Sequence, residues 1–241
     1  IKTILPKNEV NKQIIQFKKK HVKNLTECAT RKASEDSINL LSKEINLFIG
    51  GSADLTGSNN TKGKNMSVIS KNNYKGNYIH YGVREHAMAG LMNGLALHKG
   101  VIPYGGTFLV FTDYCRPSIR LAALMKLQII YVMTHDSIGL GEDGPTHQPI
   151  EHLAALRAIP NLNVFRPADI IETIESWECA LLSSKNPSVI VLTRQSLPLV
   201  RKENIKENMV KKGAYILKDY KIYHATILAT GSEVSIAVNV S

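Results

Sequence analysis

The sequence predicts an α/β domain with an open, mostly parallel sheet and helices on both faces, followed by the beginning of a second α/β domain. Three observations carry that expectation. Short apolar runs of strand length alternate with longer helix-like stretches. Nearly every such run is followed at once by glycine or polar residues that a core would not choose. With 241 residues and 44% apolar content there is core enough for one large domain or two modest ones, which excludes disorder for most of the chain.

The strand runs are 45–49, 78–81, 101–104, 129–133, 163–165 and 188–192. The stretch 86–97 is rich in Ala, Met and Leu with Gly90 and Gly94 four apart, which predicts a buried helix packed closely on the sheet. Stretches 116–126 and 169–182 read as amphipathic helices, with Asp169 after Pro167 in an N-terminal position. Residues 57–77 are dominated by Asn, Lys, Ser and Gly and predict a solvated loop; the charged run 201–212 after Pro198 predicts a linker. The domain boundary is therefore placed at 1–204 and 205–241. Beyond it, 225–229 followed by Thr230, Gly231, Ser232 and Glu233 restarts a strand-to-helix unit. A start at Ile1 and an end at Ser241, inside the apolar-patterned segment 233–240, predict a piece of a longer protein.

Thirty basic against 20 acidic residues give a net charge of +10, which fits a polyanionic partner or small phosphorylated ligands. The basic runs (Lys18, Lys19, Lys20; Lys211, Lys212) are not interleaved with the five Phe and single Trp as base-stacking platforms require, so no nucleic-acid partner is expected. No stretch approaches the roughly 18 uninterrupted apolar residues of a membrane span, and no membrane association is expected. Cys28, Cys115 and Cys179 include no CxxC pair, which excludes a thiolate zinc site and a disulfide framework and fits a cytoplasmic protein.

The polar residues after the strand runs are Gly50, Gly51, Ser52 and Asp54; Gly82, Arg84, Glu85 and His86; Gly105, Gly106 and Thr107; Thr134, His135 and Asp136; Thr193, Arg194 and Gln195. An open parallel sheet binds ligands outside the carboxyl ends of its strands, so these scattered residues converge on one edge. Singly, each has a plain reading: Glu85 suits a helix start by the macrodipole, Arg31 and Arg194 suit a surface, and Phe108, Phe111 and Tyr114 suit a core. The run from Thr134 to Gln148 is harder to explain as a mere turn, because it packs two His, two Asp, one Glu and three Gly behind a buried strand. His135-Asp136 with His147 and His152 admits a metal reading, but that dipeptide site belongs on facing helices whereas this one ends a strand. A pocket of charged donors and acceptors for a hydroxylated, anionic small molecule fits better, and no residue is assigned to a metal.

Gly50-Gly51-Ser52-Ala53-Asp54-Leu55-Thr56, Tyr81-Gly82-Val83-Arg84-Glu85-His86-Ala87-Met88, Tyr104-Gly105-Gly106-Thr107-Phe108 and the 134–148 loop together resemble the transketolase family. The resemblance runs from about Arg31 to Asn161, through Arg166-Pro167-Ala168-Asp169 and Arg194-Gln195, and resumes at Ala229-Thr230-Gly231-Ser232-Glu233. It covers the family's pyrimidine-binding domain and the opening of its C-terminal domain. No Gly-Asp-Gly occurs, so the diphosphate-binding domain is absent, and Gly57 stands where the family commonly has Pro.

The resemblance implies a thiamine-diphosphate-binding fold of the pyrimidine-binding type and transfer of a two-carbon ketol unit between sugar phosphates, in the pentose phosphate pathway. Relatives making deoxyxylulose phosphate or dihydroxyacetone share the cofactor, and a separate pyrimidine-domain subunit of a split enzyme is a second reading. It implies that Glu85 shares a proton with the cofactor's aminopyrimidine, a task for a buried carboxyl, and that Phe108, Phe111 and Tyr114 surround that ring. Arg31, Ser58, His135 and Arg194 would hold the substrate phosphate, Asp143 would read the hydroxyl next to the donor carbonyl, and His147 would sit near the reacting oxygens. Asp54 would support its loop. The Mg2+ or Ca2+ accompanying the diphosphate would belong to the absent N-terminal domain, and the site would be shared across a homodimer.

Overall fold

The computed structural model describes residues 7–222 and 224–241. In chain order the elements are α1 (Lys7–Lys23), β1 (Cys28–Ala29), α2 (Thr30–Glu44), β2 (Phe48–Ser52), α3 (Thr56–Asn59), β3 (Tyr78–His80), α4 (Glu85–His98), β4 (Ile102–Phe108), α5 (Thr112–Leu124), β5 (Ile130–Thr134), α6 (His152–Arg157), β6 (Asn163–Phe165), α7 (Ile170–Leu182), β7 (Ser188–Leu192), β8 (Ser196–Leu197) and α8 (Glu233–Val240). Six strands form one parallel sheet in the order β3-β2-β4-β5-β7-β6, and β1 pairs antiparallel with β8 apart from it. The winding reverses between β2 and β4, a topological switch point of the kind that opens a crevice at the strand ends.

The sheet is buried on both faces, and its strands alternate accordingly. Ile130, Val132, Ile190 and Leu192 join Ile14, Ile38, Leu41, Ile174 and Trp177 from α1, α2 and α7. Tyr131, Met133, Val189 and Val191 join Met88, Met92, Cys115, Ile119, Ala122 and Leu156 from α4, α5 and α6. Successive strand side chains point to opposite faces, so one apolar run feeds both layers.

Four expectations change on folding. The helix from 86 is not buried all round: Met88, Ala89 and Met92 face the core, whereas Leu91 and Leu97 are more than half exposed and nothing packs over Gly90 or Gly94. The loop 57–77 is only partly solvated, because Asn59, Thr61 and Met66 are buried and the Tyr104 hydroxyl donates to the Thr61 carbonyl at 2.7 Å. The charged run 201–212 is docked rather than free. The fully buried Glu175 carboxylate of α7 accepts from Lys18 Nζ (2.8 Å) and Met209 N (2.9 Å) and is bridged by the buried Arg201, while Asp169 caps α7 and accepts from the Val200 and Arg201 amides. Finally, 225–229 forms no strand: it runs unpaired with Leu228 91% exposed, since a lone strand has no ladder to join. The helix expected at 233–240 is present as α8, tied to the ends of β5 and β6 by Arg166, which pairs with Asp136 Oδ2 at 2.7 Å and with Glu233.

Candidate active site

Register builds the site. Phe108, Thr134 and Leu192 are cross-strand partners at the carboxyl ends of β4, β5 and β7, so the residues just beyond them emerge on one edge. The start of α2 is pinned to the same edge: the Thr193 amide donates to Thr30 Oγ1 at 2.7 Å and the Arg31 amide to the Thr193 carbonyl at 3.3 Å. Arg31 and Arg194, far apart in sequence, are thereby made neighbours. Burial first, and the neighbouring Arg194 charge second, lower the Arg31 guanidinium from its ordinary value.

Among the described residues neither guanidinium forms an ion pair with a carboxylate. Arg31 Nη1 donates to the Ser58 carbonyl at 2.6 Å, so Ser58 reaches the site through its main chain. Arg194 packs over Gly141, where a Cβ would lie 2.6 Å from Nη1 and where φ is +113°, a value that only glycine adopts freely. Two unpaired cations held side by side repel each other, and an oxyanion between them removes that repulsion and accepts from both forks.

His135 completes this cluster. It is 3% exposed, sits at the left-handed φ of 61°, and stacks on Phe108 with ring centroids 3.8 Å apart. Burial, then Arg31, lowers its pKa to about 4, with Arg194 and His147 acting in the same direction and Asp143 opposing. The Thr134 hydroxyl donates to Asn59 Oδ1 at 2.7 Å, so at 2.8 Å it accepts from His135 Nδ1–H. The neutral ring therefore presents Nε2 as an acceptor. Asn59 itself is held by its donation to Ser52 Oγ at 3.3 Å. Sequence reasoning did not single out Asn59, because it lies among the Asn, Lys and Ser of 57–77 and its partner is 75 residues away.

The aromatic wall continues from there. Phe108 and Phe111 lie parallel at 5.7 Å, Phe111 meets Tyr114 at 5.8 Å, and His147 stands edge-on to Phe111 at 5.2 Å. Tyr114 is 64% exposed, so this stripe is not ordinary core. Glu85 opens α4 and is buried, with no hydrogen bond from its carboxylate among the described residues. It lies close to Cys115 of α5, whose thiol is pushed up to about 12, by burial first and the Glu85 charge second. Asp143 is exposed on the loop and acts on His135 through its charge, while Asp54 is exposed at φ 63°. The metal reading of His135-Asp136 is not supported: Asp136 is taken by Arg166.

The fold and the edge cluster define a doubly wound α/β domain that offers an aromatic wall beside a cationic anion site. The family described as "Transketolase, pyrimidine binding domain" matches residues 26–200, and the chain belongs to that family. It is 58% identical over 210 residues to a transketolase of Cereibacter sphaeroides, covering 87% of this chain and 32% of that one, and 53% identical to one of Geobacillus stearothermophilus. The structure resembles a transketolase of Leishmania mexicana with a TM-score of 0.86 at 49% identity, covering 89% of this chain and 32% of that one. A Pichia stipitis transketolase in complex with sedoheptulose-7-phosphate gives a TM-score of 0.85 at 48% identity over the same shares. The chain thus spans about a third of the length of the curated relatives it matches.

Proposed function

We propose that the chain is the pyrimidine-binding domain (1–204) and the opening of the C-terminal domain (205–241) of a transketolase. The complete protein moves a two-carbon ketol unit from a ketose phosphate to an aldose phosphate, in the cytoplasm and within the pentose phosphate pathway. The observation that carries this reading is the Arg31–Arg194 pair, unneutralised and beside His135 at the edge of the aromatic wall.

Thiamine diphosphate, when bound, supplies the electron sink for breaking and making the carbon–carbon bond. The residues present fit its pyrimidine half: parallel Phe108 and Phe111 with the exposed Tyr114 offer ring faces, and Glu85 offers a buried carboxylate with no partner of its own. In this reading Phe108, Phe111 and Tyr114 bind and orient the aminopyrimidine and exclude water from it. Glu85 would hold a proton at its carboxyl for a nitrogen of that ring. Arg31, Arg194, His135 and the Ser58 turn anchor the sugar phosphate, and Asp143 accepts from a donor hydroxyl. His147, its Nδ1 2.9 Å from Thr146 Oγ1, moves a proton at the reacting oxygens. The Mg2+ or Ca2+ for the diphosphate falls to a domain outside these 241 residues, which carry no Gly-Asp-Gly.

That division requires a partner, and a homodimer with a shared site is the reading the exposed face of α4 supports: Leu91 (57% exposed) and Leu97 (54% exposed) flank the uncovered Gly90 and Gly94. One further likeness favours a second reading. A structure described as a split gene transketolase, inactive beta4 tetramer, matches 72% of this chain and 54% of that one with a TM-score of 0.56 at 28% identity. A split subunit would carry the same chemistry on a separate chain.

The test is Arg194→Ala in the complete enzyme. The Michaelis constant for phosphorylated sugars should rise far more than that for unphosphorylated acceptors, because the lost charge-assisted bonds exist only with the phosphate. Equal losses for both substrate types would make Arg194 structural and remove the main support of the proposal.

A further inference from the structure

The hydrogen bonds behind His135 form a relay whose direction is fixed from its far end. The Gly106 carbonyl of β4 can only accept, so Ser52, its cross-strand partner in β2, gives its single hydroxyl proton there at 3.1 Å. Ser52 Oγ is left with lone pairs alone, and accepts from the Leu55 amide at 3.2 Å and from Asn59 Nδ2 at 3.3 Å. With its amide nitrogen turned to Ser52, Asn59 turns Oδ1 to Thr134, whose hydroxyl donates to it at 2.7 Å. That hydroxyl has no second proton, so at 2.8 Å it accepts from Nδ1–H of His135. Ser52, Asn59 and Thr134 are fully buried, which keeps water from replacing a partner.

One tautomer of the neutral imidazole fits this relay. A proton on Nε2 instead would force Thr134 to donate to Nδ1 and leave the buried Asn59 Oδ1 with no donor. Because Nδ1 is turned inward to Thr134, Nε2 lies on the far side of a ring that Phe108 covers at 3.8 Å. The charged and titratable groups acting on that ring are Arg31, Arg194, Asp143 and His147. The anion site therefore combines guanidinium donors with one bare acceptor. An oxyanion fits it best when a proton lies between one of its oxygens and Nε2. A phosphate monoester, with a second pKa of roughly 6, has an oxygen basic enough to bring or share that proton near neutrality. Sulfate has none to bring, and its oxygens are far less basic.

We propose that Ser52, Asn59 and Thr134 are positioning residues that hold His135 as an Nε2 acceptor and thereby make the anion site select phosphate over sulfate. The inference rests on the anion site proposed above and adds to it what distinguishes one tetrahedral oxyanion from another. Arginine pairs alone accept either. Sulfate is held only when His135 itself takes up the proton, on a ring whose free value is about 4, so the preference for phosphate should shrink as pH falls toward that value.

The test is a long-range 15N–1H correlation spectrum of the full chain with 15N-labelled histidine, at about pH 7, titrated with inorganic phosphate and separately with inorganic sulfate. The His135 ring signals, assigned by their loss in His135→Asn, report both the tautomer and the affinity. Wild type should show the Nδ1–H tautomer and bind phosphate about 10-fold or more tighter than sulfate, the effect of one buried acceptor left unpaired. Thr134→Val frees the ring to carry its proton on Nε2, which donates to either anion, so sulfate should bind more tightly and the ratio should fall toward one. Thr134→Ser keeps the hydroxyl and should keep tautomer and ratio, an outcome that packing alone does not explain. Thermal melts followed by circular dichroism establish that each variant folds. If Thr134→Val unfolds, the wild-type tautomer and ratio decide the matter. A wild-type His135 protonated on Nε2, equal affinity for the two anions, or a folded Thr134→Val that keeps either the tautomer or the ratio overturns the inference and leaves the anion site standing. Binding of neither anion removes the anion site, and this inference with it.

Discussion

His135 is the group whose titration tests the anion site most directly. In the folded chain its pKa lies at about 4 against an ordinary 6.5, lowered by burial first and by Arg31 next. That gap of about 2.5 pH units corresponds to roughly 3 kcal/mol of preference for the neutral ring. Because the folded value lies below the unfolded one, the unfolded chain takes up the proton first as pH falls. Stability from this group is therefore whole above about pH 6.5 and lost progressively down to about pH 4. A phosphate held between Arg31 and Arg194 reverses part of the electrostatic cause. It should raise the His135 pKa by about 1 to 3 units, the usual effect of one opposite charge in contact, and Nε2–H then donates to the phosphate while Nδ1–H keeps Thr134. By linkage, phosphate binding tightens as pH falls and takes up a proton. The assay is NMR titration of the histidine ring signals with and without inorganic phosphate, His135 being assigned from the spectrum of His135→Asn. Arg31→Ala should raise the free-state value and blunt the response to phosphate. A His135 that titrates near 6.5 in the free protein, or one that phosphate leaves unmoved, refutes the reasoning.

Three more expectations follow from the same geometry. Glu85→Gln in the complete enzyme should leave the melting curve intact while slowing exchange of the cofactor's C2 proton by about 10²–10⁴-fold, measured by deuterium exchange; an unchanged rate takes Glu85 out of the proton relay. Lys18→Met removes one partner of the buried Glu175 carboxylate, which Arg201 and two amides still contact, and denaturant unfolding should register a loss of about 3–5 kcal/mol, the cost of breaking one side of a buried ion pair; a loss below about 1 kcal/mol would mean that Arg201 alone suffices. Asp143→Ala should narrow the kcat/KM ratio between correctly and wrongly configured ketose donors by weakening the good one, and an unchanged ratio removes Asp143 from stereochemical recognition.

The sheet was legible because buried parallel strands are near-continuous apolar runs, and the runs at 129–133, 163–165 and 188–192 fall on β5, β6 and β7 to within a residue. The first run, 45–49, starts three residues before β2, where Ile45 still caps α2, and the third, 101–104, stops four residues before the end of β4; both miss the carboxyl ends of their strands, and the reason is physical. In the structure β2 continues through Gly50 and Gly51 to Ser52, and β4 through Gly105 and Gly106 to Phe108. By composition those glycines read as loops after the strands. They are strand residues without side chains because other groups occupy the space: a Cβ at Gly50 would lie 2.2 Å from the Tyr104 ring, and one at Gly105 would lie 2.5 Å from Met92 Sδ. Composition cannot distinguish a glycine that turns the chain from one that admits a neighbour.

The same limit explains which site residues could be found. Glu85, His135 and Arg194 each follow a strand, so topology alone sends them to one edge. Arg31 follows no strand of the main sheet and reaches that edge because Thr30 and Thr193 exchange hydrogen bonds across 163 residues of chain. Resemblance named it, but its proximity to Arg194 exists only after folding. The buried Lys18, Glu175 and Arg201 were likewise invisible, since each reads as a surface charge until α1, α7 and the segment after β8 meet. That cluster also gives the charged run 201–212 its place: a carboxylate that accepts from a lysine and two amides and pairs in charge with an arginine can hold an otherwise irregular strand of chain against α7, where composition predicts a free linker. The β7 terminus carrying Arg194 is thus braced from α2 on one side and followed by a docked segment on the other, so the guanidinium pair sits on a rigid support and stays unneutralised for a ligand.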